Sequence, residues 1–551
     1  MMTSPQNSSF YLFVQPTLGR LLIPLLLSVL AGLLQAASLA WPVSGWAQGQ
    51  PLWWGALLAL ATLVMLINSS LSGREAFVRG WLFATAWLAC TFGWLFTAMH
   101  TFGGLNAILA VLAVLILAGL LAIYYAVVGM LFWLLTPVHH ALSATFFAAF
   151  WLLAELARGV LLTGFGWGAV GYSQIDGPLA AWIAWVGMYG TSAVVAALAA
   201  LLAAGLSASS LQRMAGCGLA ALALMVLPQW LPTPTGGSAG TLTVTLLQGN
   251  IAQDEKFDVS TGIQQALHWY GEQLNASRSS LIITPETAFA LPPDRLPTGY
   301  WTDTKARFAT ADQAALVGVT LGNYTEGYTN SVVGFAPGQT KPWRYDKHHL
   351  VPFGEFIPTF FRWFTDLMHI PFGDFNRGGL PQPTFDWQGQ RLAATICYEN
   401  LFTEELATQF VNEALAPTIW VNVSNLGWFG EHLAMDQHLQ IARMRALEFA
   451  RPFLLATNTG RTAIVNHLGQ VSYAAPSHTP FVLEGQVEGR TGLTPYARWV
   501  AHKGLWPLWV MSLAVLLIVW GCQMRHMSYK QLLISFSDVV IIDRHEQLSY
   551  Q

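Results

Sequence analysis

A polytopic α-helical membrane domain of eight spans, with an extracytoplasmic α/β domain inserted between the seventh and the eighth, is the architecture the sequence predicts. Three observations predict it. Long uninterrupted apolar runs fill the N-terminal part of the chain and return once near the C-terminus. Between them the apolar runs shorten to strand length and alternate with amphipathic stretches. Only 10% of the 551 residues are charged and 54% are hydrophobic, against a soluble average of roughly 25% charged, so much of the surface must face lipid.

Crossing a bilayer takes about 20 helical residues. Runs of that order lie at 21–42, 52–68, 80–98, 107–134, 143–157, 183–205 and 214–229, with one more at 505–523. The first lacks a small-residue cleavage site and six more spans follow it, so it reads as retained rather than as a signal peptide. Short-loop basic residues alternate along the chain. Arg20 precedes the first span, Arg74 and Arg79 lie between the second and third, Arg213 before the seventh, and Arg525 and Lys530 after the eighth. The opposite loops carry only Arg158. The positive-inside rule then puts both termini in the cytoplasm and the long insert on the outer face of a bacterial inner membrane, in the periplasm. The expected domains are a seven-span region 1–234, the insert 235–500, a final span 501–523 and a cytoplasmic tail 524–551.

The insert reads as alternating strands and helices, the pattern of a layered α/β domain. Strand-like runs are Leu242 to Leu247, Ser280 to Ile283, Leu316 to Val319 and Leu392 to Ile396; helical stretches are 261–275, 402–414 and 435–450. A formal net charge of −3 without a clustered basic patch excludes nucleic acid as a partner. Of the four cysteines, Cys90, Cys217 and Cys522 fall in apolar runs, and only Cys397 sits in soluble-type sequence. No C-x-x-C or His/Cys spacing suggests a metal, so Cys397 is either a core filler or a reactive thiol.

Polar groups that follow strands are where a layered domain presents its working side chains. Glu286 ends Leu281-Ile282-Ile283-Thr284-Pro285-Glu286, Cys397 ends Leu392-Ala393-Ala394-Thr395-Ile396-Cys397, and Lys347 lies in the loop after Tyr345 and Asp346. A carboxylate can take the proton of a thiol while an ammonium steadies the resulting charge and an oxyanion. Taken singly, each has an ordinary reading: a core cysteine, a solvated turn glutamate, a surface lysine.

In combination the segments resemble a known family. Thr284-Pro285-Glu286, the run from Tyr345-Asp346-Lys347-His348-His349 to Phe353-Gly354-Glu355-Phe356, and Ile396-Cys397-Tyr398-Glu399 look like the three signature blocks of the carbon-nitrogen hydrolase (nitrilase) superfamily, in the same order. With seven preceding spans and one following, the chain resembles the apolipoprotein N-acyltransferase family over roughly residues 15 to 523. The blocks Leu162 to Trp167, Gly171 to Gln174, Ala442 to Glu448 and Thr491 to Arg498 agree with that narrower resemblance. It implies a nitrilase-like αββα sandwich on the membrane, with Glu286 as general base, Lys347 as oxyanion stabiliser, Cys397 as nucleophile, and supporting roles for Glu355, Tyr398 and Glu399. Two stretches depart from the family pattern. Phe257 stands where a Trp is common, and Ser424-Asn425-Leu426-Gly427-Trp428-Phe429-Gly430 replaces Ser-Asn-Asp-Ala-Trp-Phe-Gly, which bears on substrate-loop details around Phe257 and Trp428.

The implied chemistry is transfer of a fatty acyl group from a membrane phospholipid, through a thioester on Cys397, to the α-amino group of a diacylglyceryl-cysteine apolipoprotein. The partners expected are that donor, that acceptor and the bilayer. The enzyme is expected to be a monomer with no cofactor and no metal. A membrane-tethered nitrilase-type amidase, in which water resolves the acyl-enzyme, shares the triad; a transporter with an inactive domain is the rival from another class. Paired His348 and His349 are alternatives as metal ligands, Glu155 and Arg158 as an interfacial pair or a lipid-phosphate contact, and the aromatic loop 353–375 as an apolar lid or a packed loop core.

Overall fold

Hydrophobic matching accounts for the first part of the chain. The computed structural model describes residues 10–136, 140–232, 236–310, 312–339, 341–357, 375–431 and 433–521. The tail 524–551 with Arg525 and Lys530, Cys522, and Phe360, Phe361, Trp363, Phe364, Met368 and Phe372 of the aromatic loop lie outside them. Five described helices are long and apolar enough to cross a membrane: Leu22–Leu39, Ala107–Leu135, Leu142–Thr163, Ala180–Leu206 and Leu211–Trp230. Two bent pairs raise the number to seven if each is one span, and Trp53–Asn68 is a shorter apolar helix.

The bent pairs differ from the continuous runs expected at 80–98 and 505–523. Gly73–Thr91 stops at Phe92 and Gly93, and Leu95–Phe102 continues at 60° to it. Aromatic packing fixes the break: Phe92 lies 4.6 Å from the Phe165 ring and Trp94 lies 5.1 Å from Trp167 and 4.6 Å from Phe429. Pro495–Lys503 and Trp506–Gly521 meet at 93°, turning at Gly504, whose φ of 53° suits a residue without Cβ. Arg79, expected in a loop, lies within the third helix. Its guanidinium folds back to the Leu66 carbonyl and the Ser69 hydroxyl, so it satisfies the end of the helix Trp53–Asn68. Likewise Glu155 and Arg158 form no direct pair. Arg158 donates to Tyr125, Phe165 O and Trp167 O, while Glu155 accepts from Trp151 and Val170 N–H, so both are used inside the fold.

Strand-length runs beyond residue 236 assemble into two six-stranded sheets. The strands are β1 Ser238–Gln248, β2 Leu281–Ile283, β3 Ala314–Asn323, β4 Gly327–Phe335, β5 Trp343–Asp346, β6 Phe385–Trp387, β7 Gln390–Ile396, β8 Ile419–Ser424, β9 Phe453–Thr457, β10 Ala463–Val465, β11 Val471–Ala474 and β12 Phe481–Arg490. One sheet runs β12-β1-β2-β3-β4-β5, the other β11-β10-β9-β8-β7-β6. Alternation along the strands sorts the two faces. Leu246, Leu281, Ile283 and Leu316 join the core between the sheets with Leu392, Ile396, Val421 and Leu454, whereas Leu247, Ile282, Ala315 and Val317 face the helices Gly262–Ala276 and Tyr300–Ala309. The helix Leu433–Phe449 covers the other sheet, giving four layers in the order helix, sheet, sheet, helix. The expected helix at 402–414 is instead a five-residue helix, Thr403–Ala407, followed by 3-10 turns.

That covering helix is also the seat on the apolar helices, and it is buried on almost every side. Gln437 Oε1 accepts from both Trp94 Nε1 (3.1 Å) and Trp167 Nε1 (2.7 Å), Gln440 donates to Gly49 O, and Arg443 pairs with Asp176. Arg445 reaches Glu448 at 2.6 Å and the Tyr172 hydroxyl at 3.0 Å, and Glu448 Oε1 accepts from Met188 N–H at 2.7 Å. The blocks at 171–174 and 442–448 therefore meet in one interface. The block at 491–498 closes it, since Thr494 donates to Glu448 O and Tyr496 shares a hydrogen bond with Thr403. Gly187 kinks the helix Ala180–Leu206 to admit Tyr496: its φ is 68°, and a Cβ there would lie 2.2 Å from the ring. Gly187→Ala is accordingly expected to destabilise by about 2–4 kcal/mol through overpacking and left-handed strain. Gly218→Ala, at a position with open space around it, should leave thermal unfolding in detergent nearly unchanged.

Candidate active site

Three strand ends converge above the two sheets. Glu286 follows β2, where Thr284 N–H still donates to Leu316 O and keeps the Thr-Pro-Glu turn in line with the strand. Lys347 follows β5, with its own N–H on Asn330 O. Cys397 follows β7 and opens a 3-10 turn, Cys397–Leu401.

Lys347 is the hub. Its Nζ lies 2.9 Å from Glu355 Oε1 and 3.3 Å from Glu286 Oε1, and the side chain is 1% exposed. Burial alone would expel the proton of such an ammonium; the charges of Glu355, Glu286 and Cys397 outweigh it and hold the lysine well above its usual range. Asn330 Nδ2 donates to both carboxylates, at 2.7 Å to Glu286 and 2.8 Å to Glu355. The remaining oxygens are also held, Glu286 Oε2 by Asn425 N–H and Glu355 Oε2 by Val351 N–H. Tyr398 lies with its ring 5.7 Å from Lys347 Nζ, and its hydroxyl donates to Leu350 O.

Cys397 has a φ of 56°, a left-handed backbone that a side chain adopts only when its surroundings impose it. Glu399 supplies the restraint. Its Oε2 accepts from Ile396 N–H (2.6 Å) and the Tyr345 hydroxyl (2.9 Å), and its Oε1 from His348 N–H (2.6 Å) and His349 N–H (3.0 Å). One carboxyl thus ties the Cys397 turn to the Lys347 loop. Burial pushes it up to about 7, opposed by the Ile396 N–H, the Lys347 charge and the two histidine N–H groups. Cys397 O accepts from Asn422 Nδ2 and lies 3.2 Å from His438 Nε2, a contact that requires Nε2 to carry hydrogen. Burial pushes the thiol far up, with Glu286 adding to it and Lys347 and the Tyr398 N–H opposing. An uncharged thiol is the resting form, and a thiolate needs a proton acceptor at hand.

The six residues Glu286, Lys347, Glu355, Cys397, Tyr398 and Glu399 therefore lie together. Phe257 and Trp428 lie beside them in a different role: their rings stack at 6.5 Å, and Trp428 meets Phe102 of the bent helix at 5.6 Å. His348 and His349 turn to other partners, Gly378 O and the Glu405 carboxylate, with His349 stacked on Phe402 at 3.5 Å. Among the described residues no group of three or more His, Cys, Asp or Glu side chains is placed so that it could hold a metal ion. Sequence reading missed Asn330, Asn425, Lys256 and His438. Asn425 lies within the stretch 424–430 that departs from the family pattern and Lys256 next to Phe257; Asn330 sits mid-strand with no local signal.

With this geometry in view, similarity to known proteins divides the chain in the same way. Residues 31–201 match the apolipoprotein N-acyltransferase N-terminal domain and residues 243–496 the carbon-nitrogen hydrolase domain. Named apolipoprotein N-acyltransferases are similar over most of the chain. One from Verminephrobacter eiseniae is 50% identical over 87% of this chain and 92% of its own. One from Ralstonia nicotianae is 39% identical over 81% and 86%, and one from Bordetella bronchiseptica 39% identical over 85% and 92%.

Glu399→Gln would turn an amide NH₂ toward N–H or O–H donors that now meet a carboxylate oxygen. It is expected to destabilise by about 1–3 kcal/mol, read as a lower thermal midpoint, with Glu399→Asp intermediate.

Proposed function

The chain belongs to the apolipoprotein N-acyltransferase family, and on that premise we propose that Glu286, Lys347 and Cys397 carry out its acyl transfer in two half-reactions. The protein is a lipoprotein N-acyltransferase with a carbon-nitrogen hydrolase domain. The observation that carries the mechanism is the buried Lys347 ammonium, held between Glu286 and Glu355 beside a thiol on a strained turn.

In the first half, Glu286 accepts the Cys397 proton and Sγ attacks the ester carbonyl of a phospholipid. Lys347 and the Tyr398 N–H face the oxyanion of the tetrahedral intermediate. Collapse breaks the ester C–O bond, Glu286 returns its proton to the departing alkoxide, and lysophospholipid leaves behind a thioester. In the second half, the α-amino group of a diacylglyceryl-cysteine apolipoprotein attacks the thioester carbon. Glu286 takes the amine proton, the C–S bond breaks, an amide forms and the thiol is restored. Alternation of this kind gives ping-pong kinetics.

In this reading the chain crosses the membrane eight times, the basic loop residues keep both termini in the cytoplasm and the catalytic domain in the periplasm, and the enzyme acts as a monomer. Phospholipid and apolipoprotein are both anchored by acyl chains, each buried CH₂ being worth about 0.8 kcal/mol, so a soluble site would have to extract them. Docking of the helix Leu433–Phe449 onto the apolar helices, with Trp428 against Phe102, supports a site supplied from the membrane.

Incubating the purified full-length protein with phospholipid should add one acyl mass, and a diacylglyceryl lipopeptide should then remove it. Cys397→Ala should carry no acyl group, and Glu286→Gln and Lys347→Met should each slow its formation about a thousandfold or more. An acyl group retained in Cys397→Ala would sink the mechanism. For topology, a cysteine replacing exposed Tyr324, in a chain whose own cysteines are serine, should react with a membrane-impermeant maleimide in whole spheroplasts. Labelling only after lysis would place the domain on the other side.

A further inference from the structure

Lys256 is a second lysine buried beside the site, and the two half-reactions leave it unused. It lies in the turn that follows β1, is 3% exposed, and its Nζ donates to the backbone carbonyl of Glu286 at 3.0 Å. The same turn holds Glu286 from its other side. Gln253 Oε1 accepts from Asn425 Nδ2 at 2.7 Å, and Asn425 N–H donates to Glu286 Oε2 at 2.8 Å. We propose that Lys256 is a positioning residue for the acyl transfer, whose positive charge, pinned to the Glu286 main chain, stabilises the thiolate form of Cys397.

A main-chain carbonyl needs only a neutral donor. Burying an ammonium there costs desolvation and the order of a long side chain, so the charge itself calls for a reason. Counting the buried groups supplies one. Glu286 and Glu355 face a single cation in Lys347, an excess negative charge that remains with a thiolate at Cys397 whether or not Glu286 takes its proton. Glu399, the third buried carboxyl there, is held by four N–H and O–H donors of its own; among the other charged groups Lys256 makes the resting cluster two carboxylates against two ammoniums. When the Cys397 proton passes to Glu286, the thiolate takes the place of one carboxylate and the balance is kept. Lys256 is itself pushed down to about 8 by burial, with Glu286 and Cys397 the charges that oppose the fall. The groups facing the Cys397 turn are thus Glu286, Glu355, Lys347, Lys256, Glu399, the Tyr398 N–H and His438, which burial pushes down to about 4 and so leaves neutral.

This inference rests on Cys397 as the reacting thiol, and the test reads that thiol directly rather than turnover. The full chain in detergent is treated with iodoacetamide across a pH series, and alkylation of Cys397 is followed by peptide mass, with Cys90 as an internal reference. Lys256→Gln keeps a donor for Glu286 O but removes the charge; Lys256→Arg keeps both. Below about pH 8, where Lys256 carries its charge, the Lys256→Gln profile should lie about tenfold under the parent in alkylation rate, a tenfold smaller thiolate fraction, while Lys256→Arg stays near the parent. A Lys256→Gln profile that superimposes on the parent overturns the proposal. So does a Lys256→Arg profile displaced as far as that of Lys256→Gln, which would make fit rather than charge the cause. Retained acylation in Cys397→Ala would instead strike the mechanism and leave this electrostatic result standing.

Discussion

Burying the Lys347 ammonium obliges the rest of the site to take its shape. An ion taken out of water must find compensating charge and hydrogen bonds. Here Glu286 and Glu355 supply the charge and Asn330 bridges their near oxygens, while main-chain N–H groups of Asn425 and Val351 hold the far ones. All of these partners but Asn330, which projects from within β4, sit at a strand end or in a loop leaving one. The geometry of the cluster is therefore set by the two sheets.

Cys397 shows how a strained residue is kept in place. A left-handed φ is unfavourable for a residue with a side chain, and the turn would relax if its ends were free. Glu399 prevents this by taking four donors from the strand before the cysteine, from β5 and from the Lys347 loop. Its function is to join two chain segments, and the charge on Lys347 is only one of several influences on it. His438 adds a further link: its ring touches Cys397 O and stacks 6.1 Å from Trp167, so the cysteine turn is connected to the apolar helices through a single imidazole.

The seating of the α/β domain follows the same logic on a larger scale. Arg445, Glu448, Gln437 and Arg443 are polar side chains on a helix buried on both sides, and each finds partners among the apolar helices or their loops. A helix exposed on its outer face would have no use for so many buried polar groups. Their presence explains why the helix pattern at 435–450 carries little amphipathic contrast, and why blocks at 162–174 and 491–498 accompany a hydrolase-type domain.

Local patterns made much of this legible. Apolar runs of bilayer length identified the membrane helices, period-two alternation identified the strands, and three short motifs singled out Glu286, Lys347 and Cys397 as candidates, because chain periodicity and strand-end chemistry are properties of neighbouring residues. Tertiary structure alone decided the rest. Asn330 reaches Glu286 across 44 residues and Asn425 across 139, and no local pattern tells that either one meets that carboxylate. The breaks at Gly93 and Gly504 came from aromatic and domain packing that no run of hydropathy encodes. Partners of a buried charge are chosen by where strands end in space, and that is settled only when the sheets, and the helices beneath them, have been assembled.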